Sequence, residues 1–313
     1  MRKLSLTIIL FIVCTYILNA QTPLSKIFEA VKNNNLKEVR SLLDQEADPN
    51  SADEDGDHLL MYAALYSSVD CMQLLIEKGS NVNTKNKINE TALMWAVHDL
   101  EKMKLLIHHG ADVNARAKSG NTPLLIAAVG HGKYETVKLL IDKGANALAV
   151  NERKENALIR AALFGDTATI SLLLNKGIAI DALTADSLTA LLNATFNVNT
   201  PVVIQLLERG ADPDLAGAFG LTALSSAVTY NDLVSVKAIL KKAKKIDMKG
   251  VRGITPLMWA VYNEHDNVDI IKAMLDKGAN VNLKADDGST ALSWALKKGN
   301  TGTVALLKKA GAK

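Results

Sequence analysis

The chain has little cysteine, few aromatic residues and no strong excess of charge. Of its 313 residues two are cysteines and 4% are aromatic, and the formal net charge is +3. A charge this small gives no electrostatic footprint for nucleic acid. With Cys71 as the only cysteine beyond the N-terminal segment, a disulfide framework within one chain is excluded. Apolar residues make up 48% of the chain, so packing alone must supply its stability.

The chain also lacks an apolar run long enough to cross a bilayer. The longest, from Leu4 to Leu18, has fifteen residues, whereas a spanning helix needs roughly 18–20. It follows Met-Arg-Lys and precedes Asn-Ala-Gln, which predicts a secretory signal peptide at residues 1–20, cleaved after Ala20. A lipoprotein signal would use Cys14, but Val13 before it is not small. We therefore expect an exported protein, periplasmic or secreted.

A short period runs along the rest of the chain. It is marked by a glycine after each apolar segment, as in KGANVN, and these glycines are Gly79, Gly110, Gly144, Gly177, Gly210, Gly278 and Gly311. Glu46 and Ala243 fill the same slot in two further segments, so successive marks lie 31 to 35 residues apart. Two near-identical heptads, TALMWAV from Thr91 and TPLMWAV from Thr255, are then five periods apart. Such a period indicates an array of repeats.

The recurring heptad resembles the first-helix motif of the ankyrin repeat family, T-P-L-H-x-A. It reads HLLMYAA, TALMWAV, TPLLIAA, NALIRAA, TALLNAT, TALSSAV, TPLMWAV and TALSWAL along the chain. The resemblance covers residues 21–313 and implies an all-α solenoid of about nine stacked helix-turn-helix units with β-hairpin fingers. A degenerate repeat at 24–50 would precede eight more, at 57–89, 90–120, 121–154, 155–187, 188–220, 221–253, 254–288 and 289–313.

The residue chemistry of each repeat agrees with two short helices. The heptad threonine can cap the first helix, and Pro123 or Pro256 fits its first turn, where no N–H partner is needed. Small residues such as Ala127 and Ala128 allow close packing of helices. The second helix is amphipathic, and Gly144 can end it in the left-handed conformation. One repeat cannot bury its own apolar faces, so each depends on its neighbours.

No pattern in the chain predicts catalysis. The stretch DEDGD, Asp53 to Asp57, resembles a calcium loop but has Ala64 where the loop's last ligand would be glutamate, so a solvated finger is favoured. His108 and His109 are adjacent on a helix and do not form an i, i+4 metal pair. Phosphate-binding, nucleophile-elbow and Cys-x-x-Cys motifs are absent. We expect no enzyme activity, no metal and no cofactor.

Residues that vary between repeats predict a partner-binding surface, because repeat arrays bind through such positions. In the ankyrin family these lie on a concave face built from finger tips and the ends of first helices. The two positions after the small pair of each heptad collect five aromatic residues: Tyr66, Phe164, Phe196, Tyr230 and Tyr262. Exposed aromatic rings are typical interface anchors. The competing interpretation is that each ring packs against the next repeat.

Two further sets extend this prediction. The finger position before the threonine becomes apolar at Leu221 and Ile254, and Phe219 lies on the same tips; packing between fingers is the alternative explanation. The tryptophan slot of the heptad becomes polar at Arg160, Asn193 and Ser226, which could line a pocket or face water. A half-buried Arg160 needs an anion or a carboxylate.

Charge is divided along the chain. Residues 21–236 hold 19 basic and 26 acidic side chains, a net of −7, whereas residues 237–313 hold 15 and 7, a net of +8. A basic patch is predicted at Lys241, Lys242, Lys244 and Lys245. We expect an exported, monomeric scaffold that binds a protein of unknown identity and not nucleic acid. The less favoured alternative is an envelope protein whose basic end contacts anionic lipid or polysaccharide.

Overall fold

The structure is a computed structural model that describes residues 23–262 and 268–313. Eighteen α-helices lie in these residues, in nine pairs: α1 Pro23–Lys32, α2 Leu36–Asp44; α3 Leu59–Tyr66, α4 Val69–Glu77; α5 Ala92–Trp95, α6 Leu100–His108; α7 Pro123–Ala127, α8 Tyr134–Asp142; α9 Ala157–Phe164, α10 Thr167–Asn175; α11 Ala190–Phe196, α12 Thr200–Glu208; α13 Ala223–Thr229, α14 Leu233–Lys242; α15 Pro256–Tyr262, α16 Val268–Asp276; α17 Ala291–Lys298, α18 Thr301–Lys309. The predicted signal peptide, residues 1–20, lies outside the described residues.

The helices stack in the order of the sequence within two compact units, which divide between Pro123 and Leu124. In the first unit α1 packs on α3 and α3 on α5, while α2, α4 and α6 form the parallel series of second helices. In the second unit the series of first helices consists of α9, α11, α13, α15 and α17. The series of second helices consists of α8, α10, α12, α14, α16 and α18. Each repeat therefore buries its faces against the repeats beside it, as an array requires.

The heptads lie on the first helices and supply much of the buried core. In the heptad from Thr189, Ala190, Leu191 and Leu192 are at most 2% exposed. The small residue at Ala194 is also fully buried, which lets neighbouring helices approach closely. None of the helices in the described part of the chain is long and apolar enough to span a membrane.

Threonine side chains start several of the first helices, as predicted. The Thr189 hydroxyl accepts the Leu192 backbone N–H at 3.1 Å, and Thr222 and Thr290 form capping boxes with serines three residues later. Such caps typically contribute about 1 kcal/mol. Thr91 is an exception, because its buried hydroxyl makes no hydrogen bond among the described residues.

The fingers are tight turns rather than β-hairpins with extended strands. The described residues contain no strand, and their one β-bridge joins Ala52 to His58. Neighbouring fingers are tied by single backbone hydrogen bonds, such as Ala185 N–H to the Arg153 carbonyl at 2.8 Å and Asp286 N–H to the Arg252 carbonyl at 2.9 Å. The resemblance thus gave the position of the fingers correctly and overstated their strand content.

Asparagine side chains in the loops after the second helices join one repeat to the next. The Asn50 amide donates to the Gly79 carbonyl at 3.0 Å, and its oxygen accepts the Asn81 N–H at 2.8 Å. The same pair of bonds recurs at Asn83, with Gly110 and Asp112, and at Asn282, with Gly311 and Lys313. We call these side chains rungs.

Candidate partner-binding site

Four aromatic side chains lie at or directly after the ends of successive first helices in the second unit. They are Phe164 on α9, Phe196 on α11, Tyr230 after α13 and Tyr262 on α15. Phe164 is 42%, Tyr230 48% and Tyr262 56% exposed, whereas Phe196 is half-buried. We call these four residues the aromatic row. Their common place at the end of a first helix follows from the repeat register.

The rings of the aromatic row also contact their neighbours. Phe196 and Tyr230 meet edge to face with ring centres 6.3 Å apart. Tyr262 lies 5.7 Å from Trp259 and 5.7 Å from Trp294, in both cases edge to face. Packing against other rings therefore accounts for part of Phe196, Tyr230 and Tyr262, and the exposed part of each ring is accessible for contact with another molecule.

Tyr66 belongs to the first unit. Its ring is 54% exposed at the end of α3 and stacks on Tyr62 with centres 6.0 Å apart. It occupies the same register position in its repeat as the aromatic row does in the second unit.

Two fingers of the second unit have a backbone conformation that their sequences do not favour. Phe219 and Gly220 are both left-handed, with φ of 61° and 74°, and Arg252 and Gly253 repeat this at 57° and 68°. Two consecutive left-handed residues make a type I′ turn, which usually has Asn at its first central position. The Phe219 ring is 82% exposed as a result. Its finger neighbours Leu221 and Ile254, also predicted as binding residues, are half-buried.

One concavity of the second unit lies at Tyr262. It has a volume of about 640 Å³. Three rings, three charged side chains and two apolar side chains line it: Trp259, Tyr262 and Trp294; Arg252, Asp286 and Asp287; Ile254 and Ala285. We call it the tryptophan pocket. Sequence reasoning found only Ile254 and Tyr262, because the pocket combines a finger, two first helices and the next finger.

A comparison with family models agrees with this architecture. The model described as "Ankyrin repeats (3 copies)" matches residues 27–117, 87–151, 103–184, 124–217, 158–250, 191–285 and 224–313, which together span the chain from residue 27 to its last residue. The chain belongs to the ankyrin repeat family. No curated protein matches it. Ankyrin repeats generally mediate protein–protein interaction, and proteins built from them are typically non-catalytic scaffolds.

Within the ankyrin array, the polar residues of the tryptophan slot are satisfied mainly by the repeat itself or the repeat before it. Half-buried Arg160 forms an ion pair with Glu155 at 2.7 Å and donates to the Leu125 carbonyl at 2.7 Å. Its predicted carboxylate therefore comes from the same chain. Asn193 is buried and donates to the Ile159 carbonyl at 3.2 Å. Arg160 and Asn193 thus bond within the array, whereas the buried Ser226 hydroxyl has no hydrogen-bond partner among the described residues.

The basic patch lies at the end of α14 and in the turn after it. Lys241, Lys242, Lys244 and Lys245 are all exposed. The backbone N–H groups of Lys244 and Lys245 donate to the Asp214 carboxylate at 2.9 and 3.1 Å, which fixes the turn and leaves both ammonium groups facing solvent. A shallow cavity of about 430 Å³ beside them is also lined by Lys277.

The ionisable groups that resemble catalytic features have structural partners. Asp53 accepts the Asp55 and Asp57 N–H groups at 2.9 Å each, and the Tyr62 hydroxyl at 2.6 Å, which raises the pKa of Tyr62. Cys71 is fully buried, and burial raises the pKa of its thiol. Within the described residues no group of three His, Cys, Asp or Glu side chains could hold a metal ion.

Proposed function

We propose that the chain is an exported, non-catalytic scaffold that grips a protein partner with the second unit. The binding face consists of the aromatic row and the finger residues Phe219, Leu221 and Ile254, with Arg160 beside it. One observation carries this proposal: three rings of the row are 42–56% exposed although the helices beneath them are fully packed with Leu, Ile and Ala.

The energetics of exposed rings support a protein partner. The core beneath these rings is already filled by aliphatic side chains. Burial of the exposed ring area by a partner would contribute about 25 cal/mol of binding free energy for each Å². Aromatic side chains lose little conformational entropy on binding, so they dominate many interfaces. A row that advances one ring per repeat suits an extended partner segment, which would contact each ring in turn.

Export rests on the composition of residues 1–20. A basic start, a short apolar run and Ala20 before a polar residue are typical of cleaved signals. The mature protein recovered from the exported fraction should then begin at Gln21. Recovery of chains that still begin at Met1 would contradict this part of the proposal.

The test is capture of a partner from that same fraction by the mature protein. Alanine at Phe164, Phe196, Tyr230 and Tyr262 should reduce partner capture at least about tenfold, because several interface anchors are lost together. The control is Tyr134→Ala, which removes a half-buried ring from a second helix and should leave capture unchanged. Unchanged capture by the fourfold variant, with its helical circular dichroism intact, would refute the binding face.

The exposed basic patch favours a second candidate, contact with an anionic lipid or polysaccharide surface. Glutamine at Lys241, Lys242, Lys244 and Lys245 would abolish sedimentation with anionic vesicles under this alternative. The aromatic variant would still sediment. The two variants therefore separate the two functions in one set of measurements.

A further inference from the structure

We infer that the tryptophan pocket receives a basic side chain, lysine or arginine, from the protein partner. This inference rests on the proposed function, because it names the chemistry of the partner at one end of the same face. It is carried by three features of the pocket: its aromatic walls, its charges and the hydrogen bonding of the Trp259 indole.

The aromatic walls offer several ring faces to one ligand. Tyr262 stands between Trp259 and Trp294, with ring centres 5.7 Å apart on each side and interplanar angles of 83° and 62°. The three rings pack edge to face on one another, and all three residues line the concavity. A cation within about 6 Å of such ring centres is attracted by their π-electrons, most strongly by tryptophan.

One ring of the pocket already has a cation beside it. The Lys298 ammonium lies 5.0 Å from the centre of the Tyr262 ring and donates to the Tyr262 carbonyl. Lys298 does not line the pocket itself. Among the described residues that line the pocket there is therefore no lysine, and an ammonium group there would have to come from another molecule.

The charges at the rim favour a cation over an anion. Two carboxylates, Asp286 and Asp287, and one guanidinium, Arg252, belong to the lining, so its described residues carry a net charge of −1. Hydrogen bonds from the side chain and backbone of Ser289, and more weakly the Arg252 charge, lower the pKa of Asp287. Both the apolar walls and the acidic rim match a side chain with an aliphatic stem and a charged end.

The two near-identical heptads, from Thr91 and from Thr255, differ in what surrounds their tryptophans. Trp95 and Trp259 occupy the same slot, but the Trp95 indole donates to the Glu90 carboxylate at 2.9 Å. Ile254 holds the position of Glu90 in the later repeat. The hydrogen bonds found among the described residues include none from the Trp259 indole. The later repeat has therefore lost the internal acceptor and gained an apolar wall.

The test uses the whole mature protein and short glycine-rich peptides that differ only at a central residue. We expect the lysine peptide to bind, while peptides with norleucine or glutamate at that position do not. In NMR titrations the indole N–H signals of Trp259 and Trp294 should shift with the lysine peptide, and that of Trp95 should stay in place as an internal control. A glutamate peptide that binds, or free choline that binds where the lysine peptide does not, would overturn the inference.

Variants at the rim test the sign of the charge. The double variant Asp286→Asn, Asp287→Asn should weaken lysine-peptide binding about fivefold, and Arg252→Asn should strengthen it about threefold, as expected for partly exposed charges. Trp294→Leu should weaken it about tenfold. Lysine-peptide binding that strengthens in the Asp286, Asp287 double variant, or that weakens in Arg252→Asn, would contradict attraction of a cation by the rim.

The outcome is separable from that of the proposed function. Alanine at Phe164, Phe196 and Tyr230 leaves the pocket lining intact, so this triple variant should lose partner capture and keep lysine-peptide binding. If the triple variant loses the partner but no form of the protein binds the lysine peptide, the inference fails and the proposed function stands.

Discussion

At the scale of the residue, Phe219 combines a costly backbone with an exposed ring. Its φ of 61° lies in the left-handed region. For a residue with a Cβ this conformation is about 1 kcal/mol higher in free energy than the right-handed helical or extended regions. Asn and Gly adopt that conformation more readily. Retention of a large apolar ring there, 82% exposed, is the kind of local strain that accompanies binding residues.

Phe219→Asn should therefore separate stability from binding. We expect the free energy of unfolding to rise by about 0.5–1 kcal/mol, because Asn tolerates the left-handed region, and partner capture to fall. Urea unfolding followed by circular dichroism measures the first effect. Ala218→Asn is the control, since Ala218 is exposed and has no positive φ. A loss of stability in Phe219→Asn would show that the Phe219 ring stabilises the fold by packing within the chain.

At the scale of the element, the fingers depend on how closely they stack. Gly220 and Gly288 hold the same finger position with φ of 74° and 81°. A Cβ on Gly220 would lie 2.6 Å from the Lys249 carbonyl oxygen in the next finger, whereas one on Gly288 would meet nothing within 4 Å. Both need a left-handed residue, and only Gly220 also needs the absence of a side chain.

Alanine at these two glycines should isolate the cost of stacking. Gly288→Ala should lower the free energy of unfolding by about 1 kcal/mol, the cost of left-handed alanine. Gly220→Ala should cost at least about 1 kcal/mol more, because its Cβ forces the neighbouring backbone away. Chemical denaturation of the two variants measures the difference. Equal losses would mean that the fingers can separate freely.

The same element scale shows what the sequence could predict. Helix positions followed from the period, and the caps at Thr189, Thr222 and Thr290 followed from local residue chemistry. The turn at Phe219 could not be predicted, because phenylalanine disfavours the left-handed conformation that it adopts there. The tryptophan pocket was equally hidden, since its walls come from segments whose spacing only the stacked repeats define.

The Arg160 prediction lies between these cases. Its half-buried guanidinium was expected to need a carboxylate, and the nearest supplier was Glu155, five residues earlier in the same repeat. The sequence contained both partners, but the prediction named only the kind of partner, an anion or a carboxylate, and not the residue. Whether Arg160 also contacts a partner stays a prediction.

At the scale of the whole molecule, each helix pair is held by the pairs beside it. The same heptad position is Leu191 on α11 and Leu292 on α17. Among the first helices of the described residues, α11 packs on two others, α9 and α13, whereas α17 packs on α15 alone. Both leucines are buried, at 2% and 7% exposure. In an array stabilised by nearest-neighbour contacts, their loss should spread differently.

Leucine to alanine should cost about 2–5 kcal/mol locally at either site. Leu292→Ala should raise hydrogen exchange mainly in α17 and α18, while Leu191→Ala should raise it on both sides of α11, from α9 to α14. Hydrogen–deuterium exchange read by mass spectrometry distinguishes these patterns. A uniform rise across the second unit in both variants would instead mean that the unit unfolds as one block.

The rungs have a consequence for how such a chain can change its length. Asn50, Asn83 and Asn282 each satisfy one carbonyl and one N–H of the following loop. A duplicated unit of this kind would bring its own asparagine and its own loop. The loop carbonyl and the loop N–H would then again be hydrogen-bonded by the asparagine side chain. Gain or loss of a unit that carries such an asparagine keeps both hydrogen bonds at the junction between repeats. Evolution can therefore lengthen or shorten the binding face in single steps.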